Sequence, residues 1–237
     1  MRFLSFLFAE TSVPCFLTLV LVVLGSINVH SKSECEKSAP HKLGTEGKFL
    51  LCQNAADGFP GSCAKSVYRL KGFDVNSTIA LCQHASSNGP AECARDVPLS
   101  VKAETKVLLC SQQPSSSGPA QCFKNIKSNR FSLTDYEKAQ ICGAFKGGSV
   151  EPSECVNRLP KNFGKPEVMK LCTSSKTPLG SALCATSVTG NQHSAEIIAT
   201  LCEGAVSKAP ADCFRRAPAG LHPVQRARLC RGAGGGS

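Results

Sequence analysis

Fifteen cysteines carry most of the chemistry that this sequence of 237 residues offers. A cysteine can form a disulfide, bind a metal ion or act as a thiolate nucleophile. Zinc sites need clustered ligands such as C-x2-C, whereas the closest cysteines here are 11 residues apart. A catalytic thiolate needs one special histidine partner. The histidines fall at unrelated positions between the cysteines: His30, His41, His84, His193 and His222. The spacing favours disulfides and predicts no catalytic, metal-binding or cofactor-binding residue.

The cysteines form two classes that alternate along the chain. Members of the first class directly follow Leu or Ile at intervals of 28 to 32 residues: Cys52, Cys82, Cys110, Cys142, Cys172, Cys202 and Cys230. Members of the second class are followed four residues later by an apolar residue: Cys35, Cys63, Cys93, Cys122, Cys155, Cys184 and Cys213. Seven copies with two registered cysteines do not arise from composition alone, so the pattern predicts a structural repeat of about 30 residues.

The stretch from Pro90 to Cys110 indicates what one unit looks like. Pro90 suits the first turn of a helix, and Pro98 ends that helix. Ser100 is the expected N-cap of a second helix, whose apolar stripe leads to Cys110. In four units an Ala three residues after the second cysteine predicts one further turn of this helix. Two antiparallel helices would bring Cys93 and Cys110 together at the open end of a hairpin.

Two disulfide schemes are compatible with this spacing. Pairing across the connectors, as in 52–63 and 82–93, leaves Cys35 and Cys230 unpaired at opposite ends of an array. Pairing within each hairpin uses every cysteine after Cys15, and we favour it. It joins 35–52, 63–82, 93–110, 122–142, 155–172, 184–202 and 213–230.

The fold class predicted from these observations is all-α: an elongated, solenoid-like array of disulfide-stapled helical hairpins. Large apolar residues are sparse, so crosslinks and stacking must supply what one hydrophobic core cannot. The period is similar to that of helical-hairpin solenoids such as tetratricopeptide arrays. The aromatic and glycine signature of that family is missing here, so the comparison concerns architecture only.

The N-terminal segment predicts an exported protein. Residues 15–25 form a nearly uninterrupted apolar run of signal-peptide length, and small residues suited to cleavage follow it. We predict a signal peptide over residues 1–31, a seven-unit repeat array over residues 32–230, and a Gly-rich tail or truncated linker over residues 231–237. An uncleaved signal anchor is the alternative, and no later stretch is apolar enough to cross a membrane. Removing residues 1–31 leaves an even number of cysteines, as complete pairing in an oxidising compartment requires.

The positive charge, +10 in total, is spread unevenly. Six cations near the C-terminal end are predicted to form a basic patch: Lys208, Arg215, Arg216, Arg226, Arg228 and Arg231. A field of this sign attracts an acidic polymer or an anionic surface, and the alternative interpretation is that the charge serves only the solubility of a secreted protein. Nucleic acid is not an expected partner, because a signal peptide is predicted and few aromatic residues interleave with the cations.

One further motif is the N-x-S/T sequence at Asn76. We expect Asn76 to lie in an exposed loop between the two helices of its unit, where it could carry a glycan in a eukaryotic secretory pathway. An unused motif is the alternative interpretation.

The sequence as a whole predicts a secreted or cell-surface scaffold for binding or adhesion, without enzymatic activity. It contains no nucleophile elbow, no phosphate-binding Gly loop and no HExxH zinc helix. An extracellular protein or an acidic glycan is the expected partner. The alternative is a structural component of an extracellular wall, coat or matrix.

Overall fold

The computed structural model describes residues 32–113, 117–127, 130–144, 151–173, 177–188 and 193–233. The predicted signal peptide and the last four residues lie outside these ranges. The described part is helical and contains no strand, and its helices pair in repeats of about 30 residues. The predicted fold class is therefore confirmed.

Each of seven units contributes a helix A followed by a helix B. The helices A are α1 (residues 32–38), α3 (Phe59–Val67), α5 (Gly89–Asp96), α7 (Ser117–Asn125), α9 (Glu151–Arg158), α11 (Pro178–Val188) and α13 (Ala209–Arg216). The helices B are α2 (Gly44–Cys52), α4 (Val75–Cys82), α6 (Ala103–Cys110), α8 (Asp135–Gly143), α10 (Lys165–Thr173), α12 (Ala195–Cys202) and α14 (Pro223–Cys230). A short 3-10 helix, His41–Leu43, leads into α2.

Two predictions about helix ends were wrong. Helix α6 begins at Ala103 rather than after Ser100, with Lys102 as an N-cap that makes no side-chain cap bond. Helix B also does not continue for a turn past its cysteine, because the chain turns there instead. The backbone N–H of Ala85 donates to the carbonyl of Cys82 at 2.9 Å. In three units a left-handed residue ends the helix two positions after the cysteine: Gln112, Gly204 and Gly232.

Every disulfide between described residues joins helix A to helix B of the same unit, as the favoured scheme predicts. The bridges are Cys35–Cys52, Cys63–Cys82, Cys93–Cys110, Cys122–Cys142, Cys155–Cys172, Cys184–Cys202 and Cys213–Cys230. Their Cα atoms lie 5.6 to 5.8 Å apart, within the ordinary range for a disulfide. The scheme with pairs across the connectors is wrong.

The units stack in one dimension. In the described part, the helices contact their partner in the same unit and the helices of the adjacent units. Between units, helix A packs on helix A, helix B packs on helix B, and helix B also contacts helix A of the next unit. We count positions from the two cysteines, so that A+4 lies four residues after the helix A cysteine and B−1 precedes the helix B cysteine. Two apolar positions, A+4 and B−1, are buried in units 1 to 6 and form a continuous core through the stack.

Position A−2 holds a small residue in every unit. The residues are Ser33, Gly61, Ala91, Ala120, Ser153, Ala182 and Ala211. A Cβ atom on Gly61 would lie 2.1 Å from Ser38 Oγ and 2.2 Å from the carbonyl oxygen of Cys35, both on the preceding helix A. The close approach of α1 and α3 therefore excludes a side chain there, and small residues let consecutive helices A pack tightly.

Candidate functional site

Half of the predicted basic patch is engaged within the protein. Arg215 pairs with Asp212 and donates to the carbonyl of Ser187, in the preceding unit, at 3.0 Å. Arg231 pairs with Glu203 of unit 6 at 2.8 Å. Arg226 is partly buried, with its guanidinium 4.6 Å from the centre of the Phe214 ring. These three side chains hold unit 7 together and attach it to unit 6.

The other three patch residues are exposed, but they lie on different helices. Lys208 immediately precedes α13, and Arg216 ends it. Arg228 lies on α14 and lines a groove of about 220 Å³ together with Glu196 and Thr200 of α12. The patch is therefore divided between helix A and helix B of the last unit.

A more regular set of cations lies at A+2, two residues after the helix A cysteine. Five units carry an exposed cation there, and we call this set the helix A row: Lys37, Lys65, Arg95, Lys124 and Arg215. Units 5 and 6 carry Asn157 and Thr186 instead. Because consecutive helices A pack on one another, the members in units 1 to 4 stand on successive helices, whose axes are typically about 8 to 10 Å apart.

Acidic residues stand one turn before some members of the helix A row and not before others. At A−1, Glu92 precedes Arg95, and Asp212 pairs with Arg215. Ser62 and Gln121 occupy the same position before Lys65 and Lys124. Units 2 and 4 therefore present a cation without an acidic neighbour one turn earlier. The sequence signal for this row was its fixed distance from the cysteines, which a search for dense clusters of charge overlooks.

Other cations are buried inside the hairpins at position B−4. Lys106 is 2 % exposed, and its Nζ donates to the carbonyl oxygens of Ala94 and Val97 at 3.2 and 3.3 Å. Its burial lowers the pKa of this ammonium group. Lys138, at the same position in unit 4, lies 5.6 Å from the centre of the Phe123 ring. The charge of Lys106 meets the C-terminal end of helix A, where the macrodipole is negative, and Lys138 lies 3.7 Å from Asp135 of its own helix. Neither charge is free to bind a ligand.

Ion pairs between helices B join units 4 to 7. Lys165 pairs with Glu137 at 3.2 Å. Glu203 accepts from the preceding unit through Lys170 at 3.3 Å and from the following unit through Arg231 at 2.8 Å. Hydrogen bonds from the Thr134 backbone and side chain, together with Lys165, lower the pKa of Glu137. The helix B face in this half of the array therefore uses its charges for stacking.

Two of the histidines have structural contacts in unit 7. His193 packs edge-on against Phe214, with ring centroids 4.9 Å apart. His222 is the N-cap of α14, where its Nδ1 accepts from the backbone of Val224 at 3.4 Å. Among the described residues, no three His, Cys, Asp or Glu side chains are grouped so that they could hold a metal ion.

The motif at Asn76 lies in a helix rather than in the expected loop. Asn76 is exposed in the first turn of α4, because Asp74 caps this helix and the helix begins at Val75. Thr78, the third residue of the motif, is buried and donates to the carbonyl of Asp74 at 2.7 Å. Glycosylation of Asn76 stays a prediction.

Comparison with known proteins gave no matching family model, no similar curated protein and no similar solved structure. Within the ranges that the structure describes, no helix combines the length and the apolar character needed to cross a bilayer. The seven disulfides indicate an oxidising, extracellular environment.

Proposed function

We propose that this protein is an extracellular binding scaffold without enzymatic activity, and that the helix A row binds an acidic glycan. The observation that carries the proposal is the row itself, with an exposed cation at the same position in units 1 to 4. The unit 7 member, Arg215, is exposed but already paired with Asp212. A polyanion with regularly spaced charges could contact several members at once, and such multiple weak contacts add up to useful affinity.

The architecture supports this proposal because it fixes the spacing of the row. Each hairpin is closed by a disulfide, and consecutive helices A pack on one another, closely enough at Gly61 to exclude a side chain. The side chains of long cations are mobile, but their Cα atoms stand on rigid helices. A pre-organised surface loses less conformational entropy when it binds than a flexible basic tail does.

The test compares two pairs of substitutions that change the net charge equally. Lys65→Gln with Lys124→Gln removes the two row members that have no acid one turn earlier. The matched control, Lys102→Gln with Lys161→Gln, removes two exposed lysines outside the row. The measurement is the salt concentration that elutes each protein from an immobilised sulfated polysaccharide.

We expect the row variant to elute at distinctly lower salt than the wild type, and the control variant to shift much less. Equal shifts in the two variants would mean that only net charge matters, which would contradict a binding row. A third variant, Arg216→Gln with Arg228→Gln, measures whether the exposed part of the basic patch contributes to retention.

A structural component of an extracellular wall, coat or matrix is the second candidate. It is favoured by one observation: the two ends of the array expose side chains at positions that are covered inside the array.

A further inference from the structure

The last unit exposes an apolar residue that is buried in every other unit. Position B−1 is at most 1 % exposed in units 1 to 6, where it holds Leu51, Leu81, Leu109, Ile141, Leu171 and Leu201. In unit 7 the same position is Leu229, which is 65 % exposed. The difference lies in the neighbours, since only unit 7 has no unit packed after it in the structure.

Helix A of unit 7 repeats this difference. The cysteines and the A+4 residues of units 1 to 6 are buried, whereas Cys213 and Ala217 in unit 7 are only partly buried. Arg216, between them, is exposed. We call Cys213, Ala217 and Leu229, together with Gln225, the end face.

Contacts inside the array show which side of helix B meets which neighbour. A Cβ atom on Gly47, at B−5 of unit 1, would contact Val75 and Ile79 of unit 2 at 3.5 and 3.6 Å. Position B−5 therefore faces the following unit, and B−1 shares this side because it lies four residues later. By the same contacts, B−7 and B−3 face the preceding unit.

In the described part, no unit packs against the B−7 and B−3 positions of the first unit. They hold Thr45 and Phe49; Phe49 is 47 % exposed, and the ammonium group of Lys32 lies 4.4 Å from the centre of its ring. The B−3 residues of units 4, 6 and 7 are fully buried: Ala139, Ala199 and Ala227. Thr45 and Phe49 also line a cavity of about 300 Å³ together with Lys48 and Glu36. We call Thr45, Phe49 and this cavity the start face.

We propose that the end face of one molecule binds the start face of a second copy, so that the array continues from molecule to molecule. Adjacent units within the chain meet through the same helix positions. The end face supplies the positions that face a following unit, and the start face supplies those that face a preceding unit. Leu229 and Gln225 would then pack on Phe49 and Thr45, as Gly47 and its neighbours pack on Ile79 and Val75. A contact of this heterologous kind does not close and generates filaments.

The experiment measures the mass of the full chain by analytical ultracentrifugation over a wide range of concentration, with protein secreted so that its disulfides form. We expect the mass of the wild type to rise with concentration. Leu229→Lys and Phe49→Lys should each remain monomeric. Because both side chains are exposed, these variants should keep the helical circular dichroism of the wild type.

Mixing the two variants separates this arrangement from other dimers. Phe49→Lys keeps an intact end face and Leu229→Lys keeps an intact start face, so an equimolar mixture should form a one-to-one dimer and nothing larger. Leu99→Lys, a change at a residue 74 % exposed between α5 and α6, is the control and should associate like the wild type.

Two results would overturn the proposal. A wild type that stays monomeric at every concentration excludes self-association through these faces. Association that is lost in Leu229→Lys but persists in Phe49→Lys would indicate a symmetric dimer of two end faces instead. Neither result bears on glycan binding, because the helix A row lies outside both faces.

Discussion

The ammonium nitrogen of Lys106 lies 3.2 Å from the carbonyl oxygen of Ala94, across the hairpin from its own helix. Helix α5 ends at Asp96, and the carbonyl groups of its last turn have no partner within the helix. Lys106 donates to the carbonyl of Ala94 in this last turn and to the carbonyl of Val97, the C-cap, while its aliphatic stem remains inside the hairpin. The cost of this arrangement is a charge that is almost completely removed from water.

The first prediction concerns alkaline pH. Burial lowers the pKa of Lys106 below its ordinary value of 10.5, so the unfolded chain holds this proton more tightly than the folded protein does. The free energy of unfolding should therefore rise as the pH increases from the lowered pKa to 10.5, and then level off. Lys106→Met should lack this rise, as measured by denaturant unfolding with the disulfides intact.

An exposed lysine provides the control for this measurement. Lys161→Met should keep the pH dependence of the wild type. If Lys106→Met and the wild type gained stability equally with pH, the folded protein would hold the Lys106 proton as tightly as the unfolded chain.

The arrangement of the hairpins was predictable from the sequence because it depends on local rules. Proline ends helix A, and antiparallel helices place the start of one beside the end of the other. The two cysteine classes therefore identified both the helix pair and the bridge within it. Cys93 and Cys110, in the unit from which the hairpin was inferred, are bonded in the structure.

Features that depend on a neighbouring unit or on the backbone of one turn were not predictable in the same way. The small residues at A−2 and the buried cations at B−4 are visible in the sequence as registered positions. Their structural role follows only from the distances between helices. At Gly61, for example, the preceding helix A lies so close that there is no room for a side chain. In units 3, 6 and 7 a left-handed residue follows the end of helix B, and Gln112 adopts that conformation without being a glycine.

The second prediction uses Gly61. Gly61→Ala should lower the free energy of unfolding by about 1 to 3 kcal/mol, because the added methyl group overlaps the backbone of Cys35 and forces α1 and α3 apart. Chemical denaturation measures the change. Gly220→Ala is the matched control, since a Cβ atom there meets no other atom within 4 Å and should change stability by less than about 0.5 kcal/mol. Equal effects of the two substitutions would contradict tight packing of the helices A.

The third prediction concerns acid. The pKa of Glu137 is lowered below its ordinary value of 4.5, first by the backbone N–H of Thr134 and then by the Thr134 side chain and Lys165. Its contribution to stability is therefore present above pH 4.5 and disappears as the pH falls through the lowered pKa. Glu137→Gln should cost about 0.5 kcal/mol at neutral pH, the size of a partly exposed ion pair, and nothing below the lowered pKa. A difference from the wild type that persists in strong acid would contradict this account.

The fourth prediction concerns the mature chain. Secretion should remove the N-terminal segment up to Gly25 or Ser31, and Cys15 with it. Intact mass spectrometry measures the new N-terminus, and a thiol reagent applied to the denatured, unreduced protein counts free cysteines. We expect no free thiol, because the described disulfides use all the other cysteines. A single free thiol with the full N-terminal mass would support a signal anchor instead.

The last prediction compares an internal bridge with a terminal one that closes a loop of the same length. Cys155–Cys172 in unit 5 and Cys35–Cys52 in unit 1 both have a sequence separation of 17. Replacing either pair with alanine should destabilise its own unit by about 3 kcal/mol, because the unfolded chain gains conformational entropy when the crosslink is removed. The consequences for the rest of the array should differ, because unit 5 has neighbours on both sides and unit 1 has only one.

Hydrogen exchange measured by mass spectrometry distinguishes the two cases. Loss of the Cys35–Cys52 bridge should raise exchange in α1 and α2 and leave units 3 to 7 protected. Loss of the Cys155–Cys172 bridge should raise exchange in units 4, 5 and 6, since the Glu137–Lys165 and Glu203–Lys170 ion pairs both end on unit 5. If removal of either bridge opened the whole chain at once, the protein would fold as a single cooperative domain, and nearest-neighbour stacking would not describe its stability.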